Sequence, residues 1–160
     1  MSLITLKVVS RNEYNNSISG TFETVYYTIA GVVLRVDFLA LEIIQAAFVD
    51  QDSVPCHYRS RPIEQLLATP LTLLISGTDF QIRVWQATLE IPAGFMCSYH
   101  NIAQAVGSRS AARAVGQALA SNRIAYIIPC HRVVGVVEDF GGYKWGLALK
   151  KMLLAHEKFL

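Results

Sequence analysis

Ile127-Ile128-Pro129-Cys130-His131-Arg132-Val133-Val134 sets a cysteine beside a histidine, behind a rigid proline and between two aliphatic runs. Aliphatic flanks by themselves indicate a buried strand or core loop. A nucleophile, a candidate base and a cation at their centre are residues that packing does not require. A thiol becomes reactive where its surroundings favour the thiolate, and a neighbouring imidazole or cation does that. The segment is therefore the candidate for the chemistry. Extended backbone along it would turn the Cys130 and His131 side chains apart, so a proton passing between them would need a bridging water.

On both sides of this segment the apolar spacing is helical. Phe80, Val84, Trp85, Thr88 and Leu89 follow the 3, 4, 7, 8 pattern of an amphipathic helix, with Thr78 or Asp79 as N-cap and Pro92 beyond its end. Ser98 caps a second helix, Tyr99–Val106, which Gly107 closes. A third, alanine-rich helix spans Ser110–Ser121, and two short helices joined at a glycine turn have helix-turn-helix shape. Its small residues, Ala112, Ala114 and Gly116, permit close approach to another surface, and Arg113 projects a cation near its start. The bland alternative is a tightly packed helix with Arg113 in solvent. A last helix, Gly146–Phe159, places Leu149, Met152, Leu153 and His156 on one face and Lys150-Lys151 elsewhere.

The first half has a different pattern. Thr21–Ile29 and Val32–Phe38 read as strands joined at Ala30-Gly31, Ile43–Val49 as a third strand or a buried helical segment, and Pro62–Ala68 as a short helix. Ser76-Gly77-Thr78-Asp79 marks a boundary. The expected fold class is α+β, a small β-rich lobe over residues 1–76 followed by a mainly helical domain over residues 77–160.

With 52% hydrophobic and 16% charged residues the composition is that of a globular chain. No apolar run reaches the roughly 18 residues of a membrane span, and the start lacks a secretory pattern. Three cysteines without a close pair argue against a disulfide framework and for a reducing compartment, so a cytoplasmic protein is expected, nucleoid-associated if bacterial. No metal-ligand spacing is present, and neither metal nor cofactor is expected. Residues 1–80 hold five basic and eight acidic side chains, residues 81–160 nine basic and four acidic. The half with Cys130 is thus the one suited to a polyanion.

The elements after residue 80 resemble the O6-alkylguanine-DNA alkyltransferases, also called methylated-DNA–protein-cysteine methyltransferases. The resemblance rests on Phe80-Gln81-x-x-Val84-Trp85, Ile91-Pro92-x-Gly94, Ser98-Tyr99, Ala112-Arg113-Ala114-Val115-Gly116 and Asn122. It continues through Ile128-Pro129-Cys130-His131-Arg132-Val133-Val134, Gly142-Tyr143-x-Trp145-Gly146 and Lys150-x-x-Leu153-Leu154-x-x-Glu157. These motifs cover about half the chain. The resemblance implies a monomeric single-turnover repair protein acting on double-stranded DNA. It would move the alkyl group from O6 of guanine, with O4-alkylthymine an open alternative, irreversibly onto Cys130. It further implies a Cys130–His131–Glu157 relay, Tyr99 as proton donor to the leaving base, and Asn122 as a brace for the active-site turn. Ser98, Tyr99, Ala112, Arg113, Ala114 and Gly116 would meet DNA, with Arg113 filling the gap left by an extruded base. Pro129, Val133 (through its carbonyl), Tyr143 and Trp145 would line the base pocket.

Some positions depart from that pattern. Pro55-Cys56-His57 echoes the active-site motif without its aliphatic flanks, and Cys56 is read as a surface residue. Cys97 is expected to be buried and inert, His100 to face solvent, and His156 to pack beside Glu157. Glu138 and Asp139 make the loop Gly135–Gly142 acidic, and Lys144-Trp145 should reshape the pocket rim. Two other classes compete. A non-catalytic lesion binder of the alkyltransferase-like kind would lack the cysteine that is present here. A cysteine hydrolase would leave the helix-turn-helix pattern unexplained.

Overall fold

The computed structural model describes residues 3–136 and 139–158, which fall into two compact units. The first runs to Gly77 and takes in Arg123–Ala125. The second holds Thr78–Asn122 and resumes at Tyr126.

The first unit is built on a sheet of six strands among the described residues: β1 (Ile4–Val8), β2 (Glu23–Ile29), β3 (Val32–Leu39), β4 (Glu42–Val49), β5 (Arg61–Pro62) and β6 (Leu71–Ile75), in the order β1-β6-β4-β3-β2-β5. β2, β3 and β4 form an antiparallel meander. At the first turn Ala30 and Gly31 both have positive φ, 50° and 84°, the backbone a tight two-residue hairpin requires. Ile43–Val49, open between strand and helix in the sequence, is strand, paired antiparallel with β3 from Phe38↔Ile43 to Val33↔Val49. Sequence patterning did not mark β1 and β6, which pair in parallel from Ile4↔Leu71 to Val8↔Ile75. Each has five residues, too few to display a period. The helix α1 (Arg11–Ser19) also escaped notice, since only Tyr14 is buried on it. A capping box at Ser10 and Glu13 starts it, and the Tyr14 hydroxyl donates to Ile44 O at 2.6 Å. The expected helix at Pro62–Ala68 is α2 (Ile63–Leu67), with Pro62 as its cap. Arg123–Ala125, which sequence reading assigned to the helical part, joins this unit because Ile124 bridges to Ala46 on β4.

The second unit contains α3 (Asp79–Leu89), β7 (Cys97–Ser98), α4 (Tyr99–Ala105), α5 (Ala112–Ala120), β8 (Val133–Val134) and α6 (Leu147–Lys158). Thr78 and Gln81 form the capping box that starts α3. Its buried face, Val84, Trp85 and Thr88, faces α5, where the Trp85 indole N–H donates to Ala118 O at 2.9 Å. Ser98 caps α4 by accepting from Asn101 N. Gly107, at φ 78°, lets the chain leave α4 while Ser108 N closes on Ala103 O. β7 and β8 pair in parallel and tie the start of α4 to the chain after Arg132.

Two expectations need correction here. Ile127–Val134 is not an extended strand: Cys130–Arg132 is a single 3-10 turn, and only Val133–Val134 is β. On α6 the buried stripe is Lys150, Leu153 and Glu157, while Met152 is exposed. The stripe sits one position from the expected one because a lysine and a glutamate fill it. Glu138 and Phe159, named in the sequence reading, lie outside the described residues.

Candidate active site

Cys130 lies at the floor of a cavity of about 580 Å³ in the second unit. Arg113, Gly116 and Ala112 of α5 form one side, and Tyr143, Lys144 and Trp145 the other. The 3-10 turn that carries the thiol is held from below. Asn122 donates through Nδ2 to Ile128 O at 3.3 Å and to Cys130 Sγ at 3.0 Å, and the thiol points at Leu119 O, 3.8 Å away. Asn122 thus braces the turn and touches the sulfur as well.

Burial pushes the Cys130 thiol up to about 12, against the smaller effect of the Asn122 hydrogen bond. The thiol is therefore protonated at rest, well short of the few per cent of thiolate that a free cysteine gives at neutral pH. At pH 7.5 the ionised fraction is on the order of one in 10⁴ to 10⁵. Any nucleophilic use of this sulfur must remove its proton locally.

His131 can accept that proton. It is wholly buried and stacks flat on Tyr126, centroids 5.3 Å apart and planes within 2°. Tyr126 reaches this position with φ 66°, a left-handed backbone uncommon for a bulky residue. His131 Nε2 lies 2.7 Å from Glu157 Oε1. Burial lowers the imidazole's affinity for a proton, and this outweighs the opposing pull of Glu157, so His131 is neutral near pH 7. Burial alone would raise the Glu157 carboxyl, but hydrogen bonds from His131 and Arg132 hold it well below the usual carboxylate range. An ionised carboxylate only accepts, so Nε2 must carry the hydrogen. Nδ1, buried and without a hydrogen-bond partner, is left as the lone pair.

Tyr99, at the start of α4, contributes its ring to the cavity wall and donates its hydroxyl to Gly142 O at 3.2 Å. The close neighbour is Gly141, with φ 63°: a Cβ there would lie 2.6 Å from Tyr99 Cε2 and 2.8 Å from its hydroxyl. Gly141→Ala is expected to push the Tyr99 ring out of place, costing about 1–3 kcal/mol from overpacking and the unfavourable φ. A melting curve and a single-turnover rate measured on the variant both test this, and wild-type values for both would refute it. Tyr143 packs edge-on to His131 and Trp145, centroids 6.5 and 5.4 Å away. Lys144 lies over Trp145, 5.1 Å from its centroid, and donates to Asn122 O at 3.2 Å.

Pro129 and Val133 do not line this cavity. The Val133 carbonyl, expected to face a base, instead accepts from Lys150 Nζ at 2.6 Å. Lys150 is fully buried and donates also to Phe140 O at 2.5 Å and Gly142 O at 3.1 Å. Burial draws its pKa down to about 8, yet three carbonyls for three N–H donors favour the ammonium. We take it as charged at neutral pH. Sequence reading quoted Lys150 but gave it no role. Its spacing of three from Leu153 and seven from Glu157 is the signal that could have found it.

The other candidate residues lie on α5 and at the start of α4. Arg113 is exposed, Ala112, Ala114 and Gly116 are half-buried, and Ser98 serves as the α4 cap. Cys56 is exposed, His100 is exposed and His156 is half-buried, whereas Cys97, expected to be buried, is half-exposed on the two-residue β7. No group of three His, Cys, Asp or Glu among the described residues could hold a metal ion.

Residues 79–159 match the family model described as 6-O-methylguanine DNA methyltransferase, DNA binding domain. Over 124 residues the chain is 36% identical to a methylated-DNA--protein-cysteine methyltransferase of Kluyveromyces lactis, covering 78% of this chain and 57% of that protein. A probable methylated-DNA--protein-cysteine methyltransferase of Acanthamoeba polyphaga mimivirus is 40% identical over 130 residues, 73% of this chain and 83% of that one. Among solved structures, Mycobacterium tuberculosis OGT in complex with DNA superposes with TM-score 0.69 at 35% identity, covering 86% of this chain and 93% of that chain. The fold and the cysteine site are thus similar to those of proteins described as methylated-DNA--protein-cysteine methyltransferases. The chain belongs to the 6-O-methylguanine DNA methyltransferase family. It spans about half the length of the first curated relatives it matches.

Proposed function

We propose that this protein repairs DNA by transferring the alkyl group of O6-alkylguanine to Cys130 Sγ, once and irreversibly. The observation that carries the reading is a thiol at the floor of an apolar cavity, backed by a buried imidazole–carboxylate pair and open beside a helix of small residues. α4 and α5 act as the helix-turn-helix. Ala112, Ala114 and Gly116 allow α5 to approach the minor groove, and Arg113 fills the stack vacated by the extruded nucleotide. Unstacking costs a few kcal/mol, offset by contacts and phosphate neutralisation from the basic half of the chain.

In the transfer step, the Sγ–H proton goes to His131 Nδ1 through a water as the sulfur attacks the alkyl carbon. The S–C bond forms and the C–O6 bond breaks, leaving its electron pair on the guanine. Tyr99 exchanges Gly142 O for the base and donates its proton there. That proton is replaced in turn from the imidazolium, so the net result is an S-alkyl cysteine and neutral guanine. Glu157 stabilises the imidazolium while it exists. No cofactor enters. None of the described helices is long and apolar enough to cross a membrane. The reading places the protein in the cytoplasm as a monomer, nucleoid-associated if bacterial.

The test is to mix the protein with duplex DNA containing O6-methylguanine and weigh the intact chain. One methyl should replace one hydrogen, on Cys130, and uptake should stop at one equivalent. Lesion binding with no gain in mass would leave a non-catalytic binder and overturn the reading. An adduct on Cys56 would overturn the site.

A further inference from the structure

Arg132 has no part in the proposed transfer step, yet its guanidinium makes four hydrogen bonds in the site, against three for the Lys150 ammonium. Its Nε lies 3.2 and 3.0 Å from the two Glu157 oxygens, its Nη2 2.8 Å from Oε1, and its Nη1 donates to Ile91 O at 2.6 Å. The Glu157 side chain is fully buried and that of Arg132 is 14% exposed. The carboxylate therefore has two partners, His131 and Arg132.

What Glu157 does to His131 depends on its own proton. As an anion it can only accept, so Nε2 is protonated and Nδ1 keeps its lone pair. As a neutral acid it can donate to Nε2, which moves the imidazole hydrogen to Nδ1 and removes the base. A buried carboxyl with only a neutral imidazole beside it favours the neutral acid. We propose that Arg132 is a positioning residue that fixes the His131 tautomer, holding Glu157 as an anion so that Nδ1 stays free to take the thiol proton. This rests on the alkyltransferase reading for its purpose, and on geometry alone for the tautomer.

Arg132 also acts on charge. The groups facing His131 are Glu157 and Lys150 from α6, Cys130 and Arg132 from its own turn, and the Tyr126 and Tyr143 rings. Burial is the main cause of its weakened proton affinity, and the Arg132 and Lys150 charges add to it. Removing Arg132 raises that affinity, so the rate should begin to fall at a higher pH on the acid side.

The experiment is ¹⁵N-histidine NMR near pH 7, with His131 assigned by comparison with His131→Gln. In the wild type Nε2 should resonate as protonated and Nδ1 as unprotonated. Arg132→Met should give either the reversed tautomer or a doubly protonated ring. Its methyl transfer should slow on the order of 100-fold, the lower end of what a positioned base contributes, with the acid limb displaced upward. Arg132→Lys, which keeps the charge, should restore the wild-type tautomer and acid limb. A protonated Nδ1 in the wild type overturns the proposal, as does an Arg132→Met ring and pH profile like the wild type's. If Arg132→Met does not fold, the wild type and Arg132→Lys carry the test. A folded wild type with the expected tautomer but no methyl transfer would refute the repair reading and leave the tautomer assignment intact.

Discussion

His131→Gln is expected to slow methyl transfer on the order of 1000-fold at pH 7.5, within the range a positioned base contributes. The size follows from the resting state of the thiol. With burial holding Cys130 at about 12, the variant depends on the trace of thiolate that bulk solvent supplies. Its rate should therefore climb about tenfold for each pH unit between roughly 7 and 10, because hydroxide has replaced the internal base. The wild type should be flatter across that range and fall only where His131 becomes protonated. Single-turnover rates on a methylated duplex, measured across pH, give both numbers. A variant within tenfold of the wild type, or one with a flat profile, would mean that another group takes the proton.

Lys150→Met should cost about 3 kcal/mol and lower the melting temperature by roughly 6–12 °C for a chain of this size. Three carbonyls lose the Lys150 ammonium as a donor, Gly142 O keeping only the Tyr99 hydroxyl. Gly142 is exposed and Phe140 half-buried, so water can replace two of the bonds, while Val133 is buried and its carbonyl has no such access. The loss is moderated because methionine also removes a buried charge that was costly to desolvate. Transfer should fall with stability, since Lys150 and Tyr99 share the Gly142 carbonyl and the wall is then held by fewer bonds. Lys150→Arg should not rescue, because a planar fork cannot address three carbonyls as a rotating ammonium does. Calorimetry on both variants decides it. An unchanged melting temperature for Lys150→Met would mean that the wall is held by other contacts.

The candidate site was legible in the sequence because cysteine, histidine and arginine are rare together in an aliphatic run, while the glutamate 26 positions beyond the histidine followed only from the family resemblance. Helices α3 and α4 were legible because side-chain caps, Thr78 and Ser98, announce them. α5 was placed two residues early, since it starts at Ala112 behind Ala111, which offers no side-chain cap. The parallel pairing of β1 with β6 joins segments nearly seventy residues apart, and no local pattern encodes it. Lys150 and the Val133 carbonyl were misjudged for a related reason. A lysine reads as surface until the tertiary structure supplies three acceptors, and nothing in a sequence says which way a carbonyl points.

A thiol held protonated under a folded chain is poorly disposed toward peroxides and adventitious electrophiles, which react with exposed thiolates. Under the proposed transfer, in which Cys130 is the one acceptor sulfur, every stray reaction would retire a whole molecule. On that reading the burial that makes Cys130 hard to ionise also sets its shelf life: the sulfur would keep until a ligand filled the cavity above it and the neighbouring imidazole drew off its proton.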